Sequence, residues 1–227
     1  MKHIFALFTM TFIFYYSCES SSDPNSDLLP ANLKISGNIF NYKNEYEQFN
    51  YYIGITNQIF DSTSVSNVGE FEILLTKSDS SHLKKYVYQD GQSGGIMYRD
   101  SVRFSEPNIK YVIYTFRIRQ DDGLEIVIDN AKRKEEFGYP EVGDYYNMYY
   151  YSGGESEVAG KFEYEIIATG FKVITNFNLT MKKGWNILTS RLIERDVTRE
   201  IYEVTKADSI PNTWILVGGS SFFNRRL

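Results

Sequence analysis

The sequence predicts an all-β fold, with a β-sandwich domain over residues 32–130 followed by a second antiparallel β domain over residues 131–227. Apolar and polar residues alternate with a period of two along most of the chain, and Asn, Asp and Gly residues separate the alternating segments. No long segment shows the period of about 3.6 residues that is typical of a helix. One larger β-sandwich is the alternative arrangement.

Three alternating segments open the predicted sandwich, at residues 33–39, 49–55 and 71–75. In the last of them apolar residues alternate with glutamates, so one face of this strand is expected in a core. A hairpin is predicted over residues 111–129, because Asp121-Asp122-Gly123 joins two alternating segments and an Asp-Gly pair favours a tight turn.

A domain boundary is predicted near residue 130, because residues 130–144 carry a charged run and then several glycine and proline residues. Alternation returns after this segment. The predicted strands of the second half are residues 145–151, 158–168, 171–181, 185–194, 197–205 and 214–217. Lys182-Lys183-Gly184 supplies a turn before Trp185, and the Trp185 ring is expected to re-enter the core.

Three segments of the first predicted domain, within residues 33–75, resemble parts of a known module. Ile35-Ser36-Gly37-Asn38-Ile39, the strand Tyr52–Thr56 and Gly69–Leu75 resemble the opening of a carboxypeptidase-regulatory or transthyretin-like module. This resemblance covers residues 33–75 and implies an immunoglobulin-like sandwich. It implies no activity.

The second half carries another resemblance. Tyr149-Tyr150-Tyr151, Val158–Lys161 and the segment Asn178–Asn186 are similar to uncharacterised β-rich bacterial surface lipoproteins with a Lys-Gly-Trp-Asn hairpin. The resemblance implies a surface location and a β-rich architecture, and no family function comes with it.

The N-terminal residues 1–17 predict a secretory signal peptide. A positive start at Lys2 precedes an apolar run over residues 4–16, and polar residues follow from Glu19. The apolar run is shorter than the roughly 20 residues of a membrane-spanning helix. Cleavage after residue 17 would leave Cys18, the one cysteine of the chain, at the new N-terminus.

Tyr15-Tyr16-Ser17-Cys18 resembles a bacterial lipobox, which implies lipid modification of Cys18 and attachment to a membrane. The alternative is an ordinary secretory signal with an incidental cysteine. Residues 18–31 are small and polar with two prolines, so they are expected to form a flexible tether. The predicted location is therefore the cell envelope, with the outer membrane favoured and the membrane as partner through the lipid.

Composition limits the other partners. The chain carries 24 Lys and Arg residues against 29 Asp and Glu residues, for a net charge of -5. Nucleic-acid binding requires a concentrated basic surface, so a nucleic-acid partner is not expected. No glycine-rich loop joins a strand to a helix, and no cofactor is expected.

The chain is not expected to be an enzyme. His82 would be the one histidine left after cleavage, and its neighbours are those of a solvated loop. Glu163 and Glu165 lie two residues apart and would share a strand face, which makes them candidates for a glycan-active hydrolase. Asp121-Asp122 and Glu155-Ser156-Glu157 lack the ligand spacing of a calcium loop.

The run Tyr145–Tyr151 is the candidate ligand surface. In a strand, Tyr145, Asn147, Tyr149 and Tyr151 share one face, and an exposed face of this kind suits sugar rings or a protein partner. A strand that is packed on both faces is favoured over this surface, with the hydroxyls reaching its edges.

Asp61-Ser62-Thr63, Asp100-Ser101-Val102 and Asp208-Ser209-Ile210 resemble an O-glycosylation sequon that some gut-type bacteria use on exported proteins. The resemblance implies modification at Ser62, Ser101 and Ser209. The alternative is three turn-forming Asp-Ser pairs.

Together these patterns predict a lipid-anchored cell-envelope protein that acts by binding or as a structural surface component. A carboxylate-dependent glycan-active hydrolase and a periplasmic scaffold component are the alternatives.

Overall fold

The computed structural model describes residues 32–43, 46–53, 59–133, 140–208 and 210–216. Strands and turns account for the regular structure of these residues, so the predicted all-β class is confirmed. Within the described ranges, no helix has the length and apolar character needed to cross a membrane. The predicted signal peptide and tether, with Cys18, lie outside the described residues.

The described residues form sixteen strands. They are β1 (Leu33–Ile39), β2 (Tyr46–Ile53), β3 (Ile59–Ser64), β4 (Glu70–Leu75), β5 (Lys84–Lys85), β6 (Gly91–Ser93), β7 (Ile96–Asp100), β8 (Arg103–Phe104), β9 (Lys110–Gln120), β10 (Glu125–Lys132), β11 (Tyr145–Ser152), β12 (Ser156–Ile166), β13 (Phe171–Met181), β14 (Gly184–Arg195), β15 (Arg199–Lys206) and β16 (Thr213–Leu216).

The strands follow the order β4-β1-β16-β10-β9-β11-β14-β15-β13-β12-β7-β6. The strand β2 pairs with β9 and β3, β5 pairs with β9, and β8 pairs with β12. The pairs β1–β16 and β13–β15 are parallel, and the other pairs are antiparallel. The predicted turn at Lys182-Lys183-Gly184 joins β13 to β14, and Trp185 after it is buried.

The strand β10 is the corner of the fold. Its residues 125–127 pair with β9, residues 128–130 pair with β16, and residues 131–132 pair with β11. The boundary predicted between residues 130 and 131 therefore falls inside a strand. Because β9 also pairs with β11 and β1 with β16, strand pairing joins the two predicted ranges.

Two hydrophobic cores lie on opposite faces of β9 and β11. The first core contains Tyr114 and Tyr149, and it packs these strands and β2 against the sheet of β1, β4 and β16. The second core contains Tyr111 and Tyr150, and it packs the other face against β12, β13, β14 and β15. The strands β9 and β11 thus form the middle layer, and aromatic rings supply much of the buried area on both sides.

Trp214 of β16 lies at the centre of the first core and is fully buried. Its ring contacts Phe49, Phe71 and Phe116 edge-to-face, with ring centroids 5.3, 5.3 and 5.1 Å away. These contacts connect β16 at the C-terminal side of the described chain to β2, β4 and β9 on the N-terminal side. Edge-to-face pairs of this kind stabilise a core beyond the area they bury, by about 0.5–1.5 kcal/mol each.

Candidate ligand-binding surface

The face of β11 predicted to contact a ligand is buried. Asn147, Tyr149 and Tyr151 are 5%, 1% and 7% exposed, because the sheet of β1, β4 and β16 covers them. Tyr145, at the start of the strand, is half-buried and lies under the guanidinium of Arg191, 5.0 Å from the ring centroid. The exposed aromatic face considered for β11 is therefore wrong, and β11 is the strand packed on both faces that the sequence favours.

Glu163 and Glu165 share one face of β12, as the sequence predicts, but three basic residues surround them. Arg99 and Lys161 both hydrogen bond to Glu163, and Lys161 Nζ lies 3.1 Å from its Oε2. Lys172 Nζ lies 3.9 Å from Glu163 Oε1 and 3.7 Å from Glu165 Oε2. Burial would raise the pKa of Glu163, but the hydrogen bonds from Lys161 and Arg99 outweigh it and lower this pKa. Glu163 is therefore a poor proton donor at neutral pH.

The other residues considered for chemistry lie apart from one another. His82 is half-buried with its ring edge-on to Phe60, 5.8 Å between centroids. Asp122 accepts a hydrogen bond from the backbone of Leu124 and closes the turn between β9 and β10, and Glu155 pairs with Lys182 at 3.0 Å. In the part of the chain that the structure describes, no group of three or more His, Cys, Asp or Glu side chains is arranged to hold a metal ion.

The predicted modification sites differ in their surroundings. Ser62 is half-buried on β3, and its hydroxyl accepts a hydrogen bond from Gln48 Nε2 at 2.7 Å. Ser101 is exposed, but its hydroxyl donates to the backbone oxygen of Lys161 at 3.0 Å and accepts from the Lys161 nitrogen at 3.1 Å. Cys18 and Ser209 lie outside the described residues, and all four modifications stay predictions.

An aromatic group that reaches the surface lies beside β8, in the segment between β5 and β6. Tyr88 is 51% exposed, and its ring meets Tyr86 edge-to-face with centroids 5.1 Å apart. Tyr86 then contacts Phe104 at 5.3 Å, and Phe104 stacks on the buried Tyr111 at 5.9 Å. We call these four residues the Tyr88 aromatic cluster. It connects an exposed ring to the second core through half-buried rings.

Asp100 at the end of β7 fixes the position of this cluster. The Tyr86 hydroxyl donates to Asp100 Oδ2 at 2.5 Å, and the backbone nitrogen of Gln89 donates to the same oxygen at 3.1 Å. The backbone nitrogen of Val102 donates to Oδ1 at 3.0 Å. Burial and the Asp100 carboxylate raise the pKa of Tyr86, so this hydroxyl stays protonated and keeps donating.

Arg103 completes the exposed side of the cluster. Its guanidinium carbon lies 4.9 Å from the centroid of the Tyr88 ring, and its Nη1 donates to the backbone oxygen of Val102 at 2.8 Å. Arg103 is exposed, and so is Val87, the residue before Tyr88. The cluster therefore presents a guanidinium over an aromatic ring that keeps about half of its surface exposed.

A small cavity lies in the second core under the half-buried rings. Its volume is about 20 Å³, and apolar or aromatic side chains line it, Tyr86, Phe104 and Tyr111 among them. A cavity of this size holds roughly one water molecule. A ligand of the Tyr88 aromatic cluster would therefore bind on the surface rather than inside the core.

The sequence pattern did not single out this cluster. Tyr86, Tyr88 and Arg103 lie in an interrupted stretch without clean alternation, and their contacts with one another span a loop. The one local signal was two tyrosines two residues apart beside an arginine-containing strand. Comparison of the chain with protein-family models, with curated proteins and with solved structures found no match.

Proposed function

We propose that the chain is an exported, lipid-anchored protein of the cell envelope that acts by binding a ligand, and that it is not an enzyme. The location rests on the order of charge and hydropathy in residues 1–17 and on the single cysteine that follows them. Lipid chains on Cys18 would hold the protein at a membrane, with the outer membrane favoured, because two or more acyl chains give stable attachment.

The Tyr88 aromatic cluster is the observation that supports binding. An exposed ring offers flat apolar area, and its hydroxyl offers a hydrogen bond, which is the combination found at surfaces that recognise sugars and proteins. Tyr88 has about half of its surface exposed although it contacts Tyr86 and Arg103. The ring is thus held in place without a ligand, and binding would cost little side-chain entropy.

The surroundings of the candidate carboxylates disfavour the hydrolase alternative at that site. Glycoside hydrolysis uses one carboxyl group with a raised pKa as the acid. Glu163 has a lowered pKa, and both Glu163 and Glu165 pair with Arg99 and Lys172. The arrangement is that of a structural ion network on the surface of β12.

The location is tested in cells that express the full chain or its Cys18→Ala variant. Labelling with an alkyne analogue of palmitate is expected to mark the wild-type chain and not the variant. Protease is then added to intact cells. Digestion of the wild-type chain would place it on the outer surface, whereas protection until the outer membrane is opened would place it in the periplasm and favour the scaffold alternative. An unlabelled wild-type chain would contradict the anchor.

The binding role is tested by screening glycans and envelope proteins against the purified full chain and its Tyr88→Ala variant. Tyr145→Ala is the matched control, because it also removes a partly exposed ring that stacks on an arginine. We expect a ligand whose affinity falls about tenfold or more in Tyr88→Ala and is kept in the control. Equal affinity of the wild-type chain and both variants would show that the Tyr88 aromatic cluster does not bind the ligand.

A further inference from the structure

We propose that the Tyr88 aromatic cluster binds an acidic glycan, with Arg103 as the contact for a carboxylate of the sugar and Tyr88 as the stacking surface beside it. This inference rests on the proposed binding function and names the class of its ligand. It is carried by three features of the cluster: the contacts of Arg103, the exposure of the Tyr88 ring, and the small volume of the cavity under the half-buried rings.

Arg103 differs from four other arginines of the described residues in its partners, and from Arg191, which also stacks on a tyrosine, in that Arg191 has Glu203 across its strand pair. Arg99, Arg117, Arg195 and Arg199 each form an ion pair with a glutamate. In the described ranges, the contacts of Arg103 are one hydrogen bond to a backbone oxygen and the stacking on Tyr88. A guanidinium carries five N–H donors, so most of the donors of Arg103 face solvent without a protein acceptor.

Stacking on Tyr88 also sets the orientation of the Arg103 side chain. A planar guanidinium binds a carboxylate through two parallel hydrogen bonds, and this geometry is favoured when its plane is already fixed. The hydrogen bond from Nη1 to Val102 fixes the same group from a second side. Arg103 is therefore preorganised for a planar anion such as a carboxylate.

Asp100, three residues before Arg103, is engaged with other groups. The Asp100 carboxylate accepts three hydrogen bonds, from the Tyr86 hydroxyl and from the backbone nitrogens of Gln89 and Val102. The neighbour of Arg103 across the strand pair is Ala159 of β12, which carries no charge. The positive charge at the surface is thus left for an external anion.

The shape of the surface favours a sugar over a peptide. A peptide ligand of an aromatic site usually places a side chain in a pocket, and the cavity of about 20 Å³ under the half-buried rings, which neither Tyr88 nor Arg103 lines, is too small for one. A sugar ring instead stacks flat on an exposed aromatic ring and places its substituents at the rim. A ring that carries a carboxylate would contact Tyr88 and Arg103 together.

The test measures the affinity of the full chain, purified in detergent, for tetragalacturonate and for its fully methyl-esterified form, which has the same sugar rings without charge. Arg103→Gln is compared with Arg191→Gln, which removes an exposed arginine stacked on Tyr145. A tetraglutamate peptide is the acidic control without sugar rings. Unchanged melting temperatures of both variants would show that they fold.

We expect the wild-type chain to bind the acidic form about tenfold or more tightly than the ester, as one charge-assisted pair would give. Arg103→Gln should abolish this preference, and Arg191→Gln should keep it. Equal affinity for both forms, unaffected by Arg103→Gln, would overturn the acidic ligand while leaving the binding function in place. Binding of tetraglutamate alone would overturn the glycan, and absence of all binding would overturn the inference outright.

Discussion

Asn147 of β11 donates a hydrogen bond through Nδ2 to Oδ1 of Asn130 of β10, at 2.8 Å, in the interior of the protein. Asn130 in turn donates to the backbone oxygen of Pro211 and to that of Thr213, the first residue of β16. Thr189 of β14 donates to Asn147 Oδ1 at 2.7 Å. Two buried amides therefore connect four strands at the corner where β10 changes its partner.

Asn147→Ala is expected to lower the free energy of unfolding by about 2 kcal/mol, because the buried Thr189 hydroxyl would lose its acceptor and Asn130 Oδ1 would keep only its hydrogen bond from the Tyr149 hydroxyl at 3.3 Å. Denaturant titration measures the change. Asn178→Ala is the matched control, because Asn178 is exposed on β13 and its truncation should cost less than about 0.5 kcal/mol. Equal midpoints for both variants would contradict a stabilising role of the network.

The alternation in the sequence predicted the strands of the first core well. Phe71, Ile73 and Leu75 are buried, as the period of two indicates, and the intervening residues of β4 are exposed. This pattern is local, because the two faces of a strand follow from neighbouring residues alone. The burial of both faces of β11 was favoured from the sequence but does not follow from alternation, since it depends on a sheet that is distant in the sequence.

The candidate sites show the same limit. The placement of Glu163 and Glu165 on one strand face was predicted, but their partner Arg99 is 64 residues from Glu163 and left no local signal. The contact of Tyr86 with Asp100 spans 14 residues that include the paired strands β6 and β7, whose position against Tyr86 the sequence does not specify. Long-range pairing of polar groups depends on the fold, whereas strand faces depend on the period.

Asp129 of β10 is expected to make stability depend on pH. It is 6% exposed, and burial raises its pKa to about 7, opposed in part by Arg133. The folded state then binds a proton that the unfolded state, with a pKa of 3.8, releases. The free energy of unfolding should therefore fall as the pH rises through this interval, and the cost should be complete above the folded pKa.

Asp129→Asn removes this charge and should stabilise the protein at about pH 8 by roughly 2–4 kcal/mol. Near pH 4 the aspartate is protonated in the folded state, so the variant and the wild type should differ much less. Denaturant midpoints across this pH range measure the difference. A difference that is the same at every pH would show that Asp129 does not titrate on unfolding.

Glu163→Gln is expected to change the stability in the opposite direction, with a loss at neutral pH. The lowered pKa of Glu163 means that its ion pairs stabilise the folded state above the ordinary pKa of 4.5, and this contribution is lost as the pH falls through the folded pKa. The variant should therefore be less stable than the wild type at neutral pH, by about 1 kcal/mol, because its basic partners are half-exposed and remain solvated.

Glu72→Gln is the control for this change, because Glu72 pairs with Lys34 at 2.8 Å but both side chains are 62% exposed. Its loss should be close to zero, as for other exposed pairs. Added salt should weaken the effect of Glu163→Gln without abolishing it, since Glu163 itself is buried. If both variants lose the same stability, the burial of Glu163 contributes nothing.

Gly160 of β12 is expected to tolerate no larger residue. Its φ is +123°, and a Cβ there would lie 2.3 Å from the backbone oxygen of Ser101. The Ser101 hydroxyl hydrogen bonds to both backbone groups of Lys161, so this segment cannot retreat without losing those bonds. Gly160→Ala should therefore lower the free energy of unfolding by more than about 2 kcal/mol.

Gly94→Ala is the control that measures the cost of the backbone conformation without a steric clash. Gly94 also has a positive φ, of +56°, but a Cβ there would meet nothing within 4 Å. Its loss should be limited to about 1 kcal/mol, the cost of the backbone conformation alone. Because Ser101 and Val102 lead into Arg103, displacement of this segment should also weaken ligand binding in Gly160→Ala. Equal losses of stability in the two variants would mean that β12 shifts to make room for the methyl group.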